Sequence, residues 1–201
     1  MKKMLFSFLL LAFPLLAEMK VLVFAGSTRT GSYNQKLAHE AAVVAEKMGA
    51  KVTVLDLKDY AMPFYDADLE AASGMPENAK RFRNAMIDND AILIASPEYN
   101  ASIPAVLKNA LDWASRAESG GSSRDAFKGK TFGLMSASPG KGGGARGLVH
   151  LRAVIEDAGG TVVKKQVVVP KAYEAFDESG ALKSSALQKA LQEEVGEVLR
   201  R

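Results

Sequence analysis

The chain has 201 residues with a formal charge of +3 and 48% hydrophobic residues, which bounds it to about one globular domain with its own core. The small net charge and the lack of a Lys/Arg patch interleaved with aromatics exclude a nucleic-acid platform. The absence of cysteine excludes disulfides, thiolate metal sites and a cysteine nucleophile.

The chain opens with Lys2 and Lys3, an apolar run from Met4 to Leu16 broken by Ser7 and Pro14, and then Ala17 before Glu18. A basic start, a short apolar middle and a small residue at the cut form the pattern of a secretory signal peptide. Residues 1–17 are therefore expected to be an export signal and 18–201 the functional domain. The alternative is an upstream extension before a start at Met19, which would leave the domain cytoplasmic.

From Lys20 the sequence alternates strand and helix. Val21–Ala25 is a continuous apolar run, as a strand covered on both faces requires. Gly26–Asn34 follows as a loop, and Asn34–Met48 carries Leu37, Ala41, Val44, Ala45 and Met48 at helical spacing. Lys51–Leu57 reads as the second strand, Asp59–Ser73 as a loop, and Pro76 to about Asp88 as a helix. Ala91–Ala95 is the third strand. Ser102 as N-cap and Pro104 in the first turn predict a helix to about Ala117. Thr131–Ala137 is the fourth strand, Arg146–Ala158 a helix, and Thr161–Val169 the fifth strand. Leu182–Leu199 ends the chain as an amphipathic helix with Leu182, Ala186, Leu187, Ala190, Leu191, Val195 and Val198 inward.

Five strand–helix units without a boundary predict an α/β, flavodoxin-like, doubly wound five-stranded parallel sheet of order 2-1-3-4-5. That order sets the loops after the first and third strands side by side at the switch point, where such folds bind ligands. The first loop, Gly26-Ser-Thr-Arg-Thr-Gly-Ser-Tyr-Asn34, is not a P-loop, because no Gly-Lys-Ser/Thr closes it. Its hydroxyls, its backbone N–H groups, Arg29 and the following helix N-terminus suit a terminal phosphate. Ser27, Arg29, Ser32 and Asn34 are the expected donors.

The loop after the third strand offers Pro97, Glu98, Tyr99 and Asn100, a segment able to line a flat ring. Gly140-Lys-Gly-Gly-Gly-Ala145 matches the spacing of a dinucleotide fingerprint. The next strand, however, carries Lys164 and Lys165 where a ribose-binding acid should stand, so a loop beside the ring fits better. His39 and His150 lack metal-ligand spacing and read as helix-surface residues. Asp56, Asp59, Asp66 and Asp68 match no calcium loop and read as a solvated edge.

With these loops in place, the chain from about Met19 resembles the NADPH-dependent FMN reductases, a flavodoxin-like group that includes quinone, azo-dye and chromate reductases. The resemblance rests on Gly26-Ser-x-Arg29-x-x-Ser32-x-Asn34. It also rests on Pro97-Glu-Tyr-Asn100 with Ser102, Pro104, Lys108-Asn-Ala110 and Asp112-Trp113. It implies FMN as bound cofactor and NAD(P)H as electron donor. The acceptor would be a small molecule, a flavin, a quinone or similar, and the subunits would form a homodimer or homotetramer helped by the Leu107–Trp113 helix. It implies that Ser27, Arg29, Ser32 and Asn34 hold the phosphate and that Pro97 to Asn100 approach the ring. Ser136, Ser138 and Gly140 would lie on the ring's other side. No catalytic acid or base is implied, since the flavin carries the chemistry. The alternative is a flavodoxin-type electron carrier without its own NAD(P)H turnover. Such carriers are typically strongly acidic, which this chain is not. A receiver domain of the same topology would need acids at the end of the first strand, where Ala25-Gly26-Ser27 stand.

Overall fold

The computed structural model describes residues 18–200, so the expected signal segment, 1–17, lies outside the described residues. Strands β1 (Lys20–Ala25), β2 (Lys51–Leu55), β3 (Ala91–Ala95) and β4 (Thr131–Ala137) pair in parallel in the order β2-β1-β3-β4. The two inner strands β1 and β3 put successive side chains into two separate cores. Val21, Val23, Leu93 and Ala95 face helices α1 (Tyr33–Lys47) and α7 (Ser185–Leu199). Leu22, Phe24, Ile92 and Ile94 face α3 (Glu77–Ile87), α4 (Ala105–Ala114) and α5 (Ala145–Asp157). Burial on both faces is why these strands read as unbroken apolar runs.

Three local expectations are corrected. The stretch 59–73 is not a plain loop: Asp56 caps a 3-10 turn, Leu57–Tyr60, and Asp66 caps α2 (Ala67–Ser73). Both aspartates accept backbone N–H bonds, Asp56 from Lys58 and Asp66 from Asp68 and Leu69. Helix α4 starts at Ala105 and ends at Ala114, and Ser102 is not its cap. Ala186 is exposed, because α7 turns a narrower face inward through Leu191, Val195 and Val198.

The fifth strand is the largest departure. It is split into β5 (Thr161–Val162) and β6 (Val167–Val169), both paired with β4, and α6 (Ala172–Ala175) follows. Phe132 pairs with Val162 and Met135 with Val167, so five steps of one strand face three of the other. Side chains satisfy the backbone across the break. Glu197 accepts from Lys164 N–H at 3.1 Å and Lys165 N–H at 3.4 Å. Glu194 accepts from Val167 N–H at 2.8 Å, and Arg152 donates to the carbonyls of Val162 and Val163. A buried unpaired backbone group would cost on the order of 1–3 kcal/mol, so these bonds permit the break.

Glu194 is fully buried, and burial pushes its carboxyl up to about 8. The folded state thus keeps a proton that the unfolded chain releases near 4.5. Its contribution to stability is complete below pH 4.5 and is lost as pH rises through about 8. We expect the urea midpoint to fall between pH 5 and pH 8 and Glu194→Gln to flatten that fall. An unchanged pH profile in the variant contradicts the assignment.

Candidate active site at the carboxyl edge of the sheet

The carboxyl ends of β1, β3 and β4 lie in register: Ala25 beside Ala95, and Ala95 beside Met135. Gly26 N–H donates to Ala95 O at 2.9 Å and Ser96 N–H to Met135 O at 2.8 Å, which carries the ladder one residue into each loop. A Cβ on Gly26 would meet Leu107 Cδ2 at 2.7 Å, so glycine lets the first loop leave the sheet against α4. Three loops thereby share one edge: 26–32, 96–104 and 138–144.

In the first loop Ser27 and Ser32 are buried, and Arg29 is exposed. Ser27 Oγ accepts from Arg29 N–H at 3.3 Å, and Ser32 Oγ caps α1 by accepting from Asn34 N–H at 3.2 Å. Among the described residues, no protein acceptor takes the N–H groups of Thr28, Thr30, Gly31, Ser32 or Tyr33. The first turn of α1 carries no acid, so nothing on that helix offsets the positive end of its dipole. Asn34 departs from its expected role. Its Nδ2 donates to Ala137 O at 2.8 Å and its Oδ1 accepts from Ala137 N–H at 2.9 Å. The side chain acts as a short length of strand, pinning α1 to the end of β4.

The second loop holds Pro97 buried and presents Tyr99 and Asn100 outward. Tyr99 and Ser102 exchange two backbone bonds, 2.9 and 3.0 Å, across Asn100 (φ +51°) and Ala101 (φ +64°). Two left-handed central residues make a type I′ turn, and alanine in that conformation costs about 1 kcal/mol. The Glu98 side chain is engaged by helix α5. One carboxylate oxygen accepts from the backbone N–H of Arg146 and Gly147 at 3.1 and 3.2 Å, and the other takes the Arg146 guanidinium at 2.5 and 2.9 Å. Partial burial disfavours the charge, but Arg146 and the two N–H groups outweigh it and hold the carboxyl below its ordinary range.

Glu98 thereby fills the amino end of α5. A carboxylate thus already occupies the helix terminus that a dinucleotide fingerprint would offer to a pyrophosphate. The same loop, with Glu98, Ser138, Gly140, Ala145 and Arg146, lines a cavity of about 320 Å³. Ser138 Oγ accepts from Gly140 N–H at 3.2 Å, and Gly140 is exposed. Ser136 is sealed below: its Oγ is fully buried and has no partner among the described residues. Gly144 covers it at φ +92°, and a Cβ there would lie 1.9 Å from Ser136 Oγ.

Sequence reasoning missed Gly144, Arg146 and the partners of Asn34 and Glu98. It placed Asn109 and Trp113 in the family motif and in a helix expected at a subunit interface, and missed their partners within the chain. Asn109 accepts from Tyr65 N–H and donates to Pro63 O, and Trp113 Nε1 donates to the same carbonyl at 2.9 Å. Both hold the 63–65 segment on α4. The helical spacing of Asn109 and Trp113, four residues apart, is the signal that could have shown a shared face.

The site's donor set fits a dianion at α1 and a flat body between the second and third loops. A family model described as NADPH-dependent FMN reductase matches residues 19–174. The chain belongs to that family. The chain is similar to an NAD(P)H-dependent FMN reductase of Pseudomonas aeruginosa, 35% identical over 89% of this chain and 92% of that one. A 2-hydroxy-1,4-benzoquinone reductase of a Burkholderia species is 39% identical over 68% of this chain and 69% of that protein. Among solved structures, a flavoenzyme NAD(P)H:acceptor oxidoreductase of Paracoccus denitrificans superposes with a TM-score of 0.75 at 28% identity. That match covers 90% of this chain and 97% of the other. As a family member the protein is an oxidoreductase with FMN and NAD(P)H as its cofactors.

Proposed function

We propose that this chain binds FMN with the phosphate at the amino end of α1 and uses NAD(P)H to reduce quinones or similar planar acceptors. The observation that carries the reading is the contrast between two helix ends on one sheet edge. The amino end of α5 is filled by Glu98, whereas that of α1 is left with open N–H groups, two buried hydroxyls and the exposed Arg29. A phosphate monoester needs many donors around one dianion, and the loop 27–33 provides them.

FMN, when bound, supplies the hydride and electron chemistry. The residues of this chain do the rest. Ser27, Arg29 and Ser32, with the N–H groups between them, fix the phosphate and so set the depth of the ligand. Asn34 holds that loop to β4 and therefore to the 138–144 loop. The 97–100 turn and the Ser138–Gly144 loop form the walls on either side, and backbone N–H groups there can meet the polar edge of a ring. The acceptor class follows the quinone reductases among the relatives.

Export belongs to the same reading. It is supported by the basic start, the apolar run to Leu16 and the family match beginning at Met19. A homodimer or homotetramer is supported by Phe64, which stands 73% exposed beside the segment that α4 holds.

Arg29→Ala is expected to weaken FMN binding by about 1–3 kcal/mol, measured by quenching of flavin fluorescence. Riboflavin, which lacks the phosphate, should bind both proteins alike. Unchanged FMN affinity would remove Arg29 from the site. For export, cell fractionation with N-terminal sequencing should return a chain beginning near Glu18 outside the cytoplasm. A cytoplasmic chain beginning at Met19 would overturn it.

A further inference from the structure

We infer that His150 is a positioning residue for the turn bearing Tyr99 and Asn100, acting through the hydroxyl of Ser102. The inference rests on the reading of that turn as a wall of the FMN site.

His150 lies exposed on α5, with Nδ1 2.9 Å from Ser102 Oγ. Ser102 closes the type I′ turn, and both its N–H and its C=O are spent on Tyr99. Its hydroxyl is the handle left for a neighbouring element to grip. Two left-handed residues that are not glycine persist only where surrounding contacts hold them. The surroundings here come from one helix face. Arg146 and Gly147 take Glu98 at the entry of the turn, and His150, one helical turn further on, takes Ser102 at its exit.

Gly147 sits between the two grips. A Cβ there would lie 3.2 Å from Ser102 O and 3.3 Å from Glu98 Cβ, so α5 approaches the turn at backbone distance. Either imidazole tautomer serves: a bare Nδ1 accepts the hydroxyl proton, and a protonated Nδ1 donates to the hydroxyl oxygen. Helix α5 also has its N-cap at Gly144, in the opposite wall of the same site. One rigid helix thus sets the spacing of both walls. The Glu98 grip fixes the start of the turn, and the His150 grip stops Tyr99 and Asn100 from swinging about it.

The test compares Ser102→Ala, His150→Ala, the double variant and His150→Asn, whose amide can replace Nδ1. Two quantities are read: FMN affinity by fluorescence quenching, and hydrogen exchange at the Tyr99 and Ser102 amides in protein free of added FMN. Each alanine variant should raise the FMN dissociation constant about fivefold, as loss of one hydrogen bond does. The double variant should be no worse than either single one, and His150→Asn should return to within about twofold of the parent. Exchange at both amides should quicken about tenfold in His150→Ala. Parental exchange and affinity in His150→Ala, additive losses in the double variant, or no rescue by asparagine would each overturn the inference. If the parent protein binds no FMN, the proposed function fails, while the exchange comparison still decides whether His150 holds the turn.

Discussion

The Glu98 carboxylate accepts from the first backbone N–H groups of α5 and pairs with the Arg146 guanidinium on the same helix. Those bonds join the loop after β3 to the loop after β4, which share no other side-chain ion pair among the described residues. They also decide the electrostatics of the sheet edge. Two helices that follow glycine-rich loops bring their positive ends there, and Glu98 neutralises one of them. The amino end of α1 stays open: among the described residues no protein acceptor takes the N–H groups of Thr28 or of Thr30 to Tyr33, and the Arg29 side chain is exposed. Glu98 thus distinguishes the two helix ends, closing that of α5 and leaving that of α1 open.

The same device recurs elsewhere in the molecule. Side chains replace missing backbone ladder at three further places where the chain leaves regular structure. Asn34 mimics a strand residue against Ala137, Glu194 and Glu197 cover the gap in the fifth strand, and Asn109 holds Pro63 and Tyr65. Each of these bonds joins the site to an element that is already packed. The loops can therefore be glycine-rich and conformationally strained without losing their places. Such strain close to a ligand is stable only when the frame around it over-determines the geometry.

Much of the architecture was legible because its signals are local. Val21–Ala25 and Ala91–Ala95 are apolar without interruption because both faces of the sheet are covered, as that pattern predicted, and the alternation of strand and helix pointed to the order that puts them side by side. The loop 26–34 stood out as a candidate because small hydroxyl residues and an arginine between a strand and a helix have little other use. What stayed hidden depends on distant partners. Asn34 meets a residue 103 positions away, and Glu98 meets Arg146 48 positions away. Thr161–Val169 reads as one strand because nothing within it announces a break. The break exists because acids on α7, about 30 positions later, satisfy its backbone. Ser136 was expected beside the ligand only from the family resemblance. Burial under Gly144, set by a backbone angle that no composition reveals, puts its hydroxyl beneath the cleft floor.

The central claim is that the amino end of α1 is open to an anion and that of α5 is closed by Glu98. The most direct measurement compares backbone amide NMR shifts with FMN and with riboflavin, which differ only in the phosphate. The account predicts that the differences concentrate at Thr28 to Tyr33 and vanish at Arg146 and Gly147. Phosphate-dependent shifts centred on Arg146 and Gly147, with none in the first loop, would contradict it.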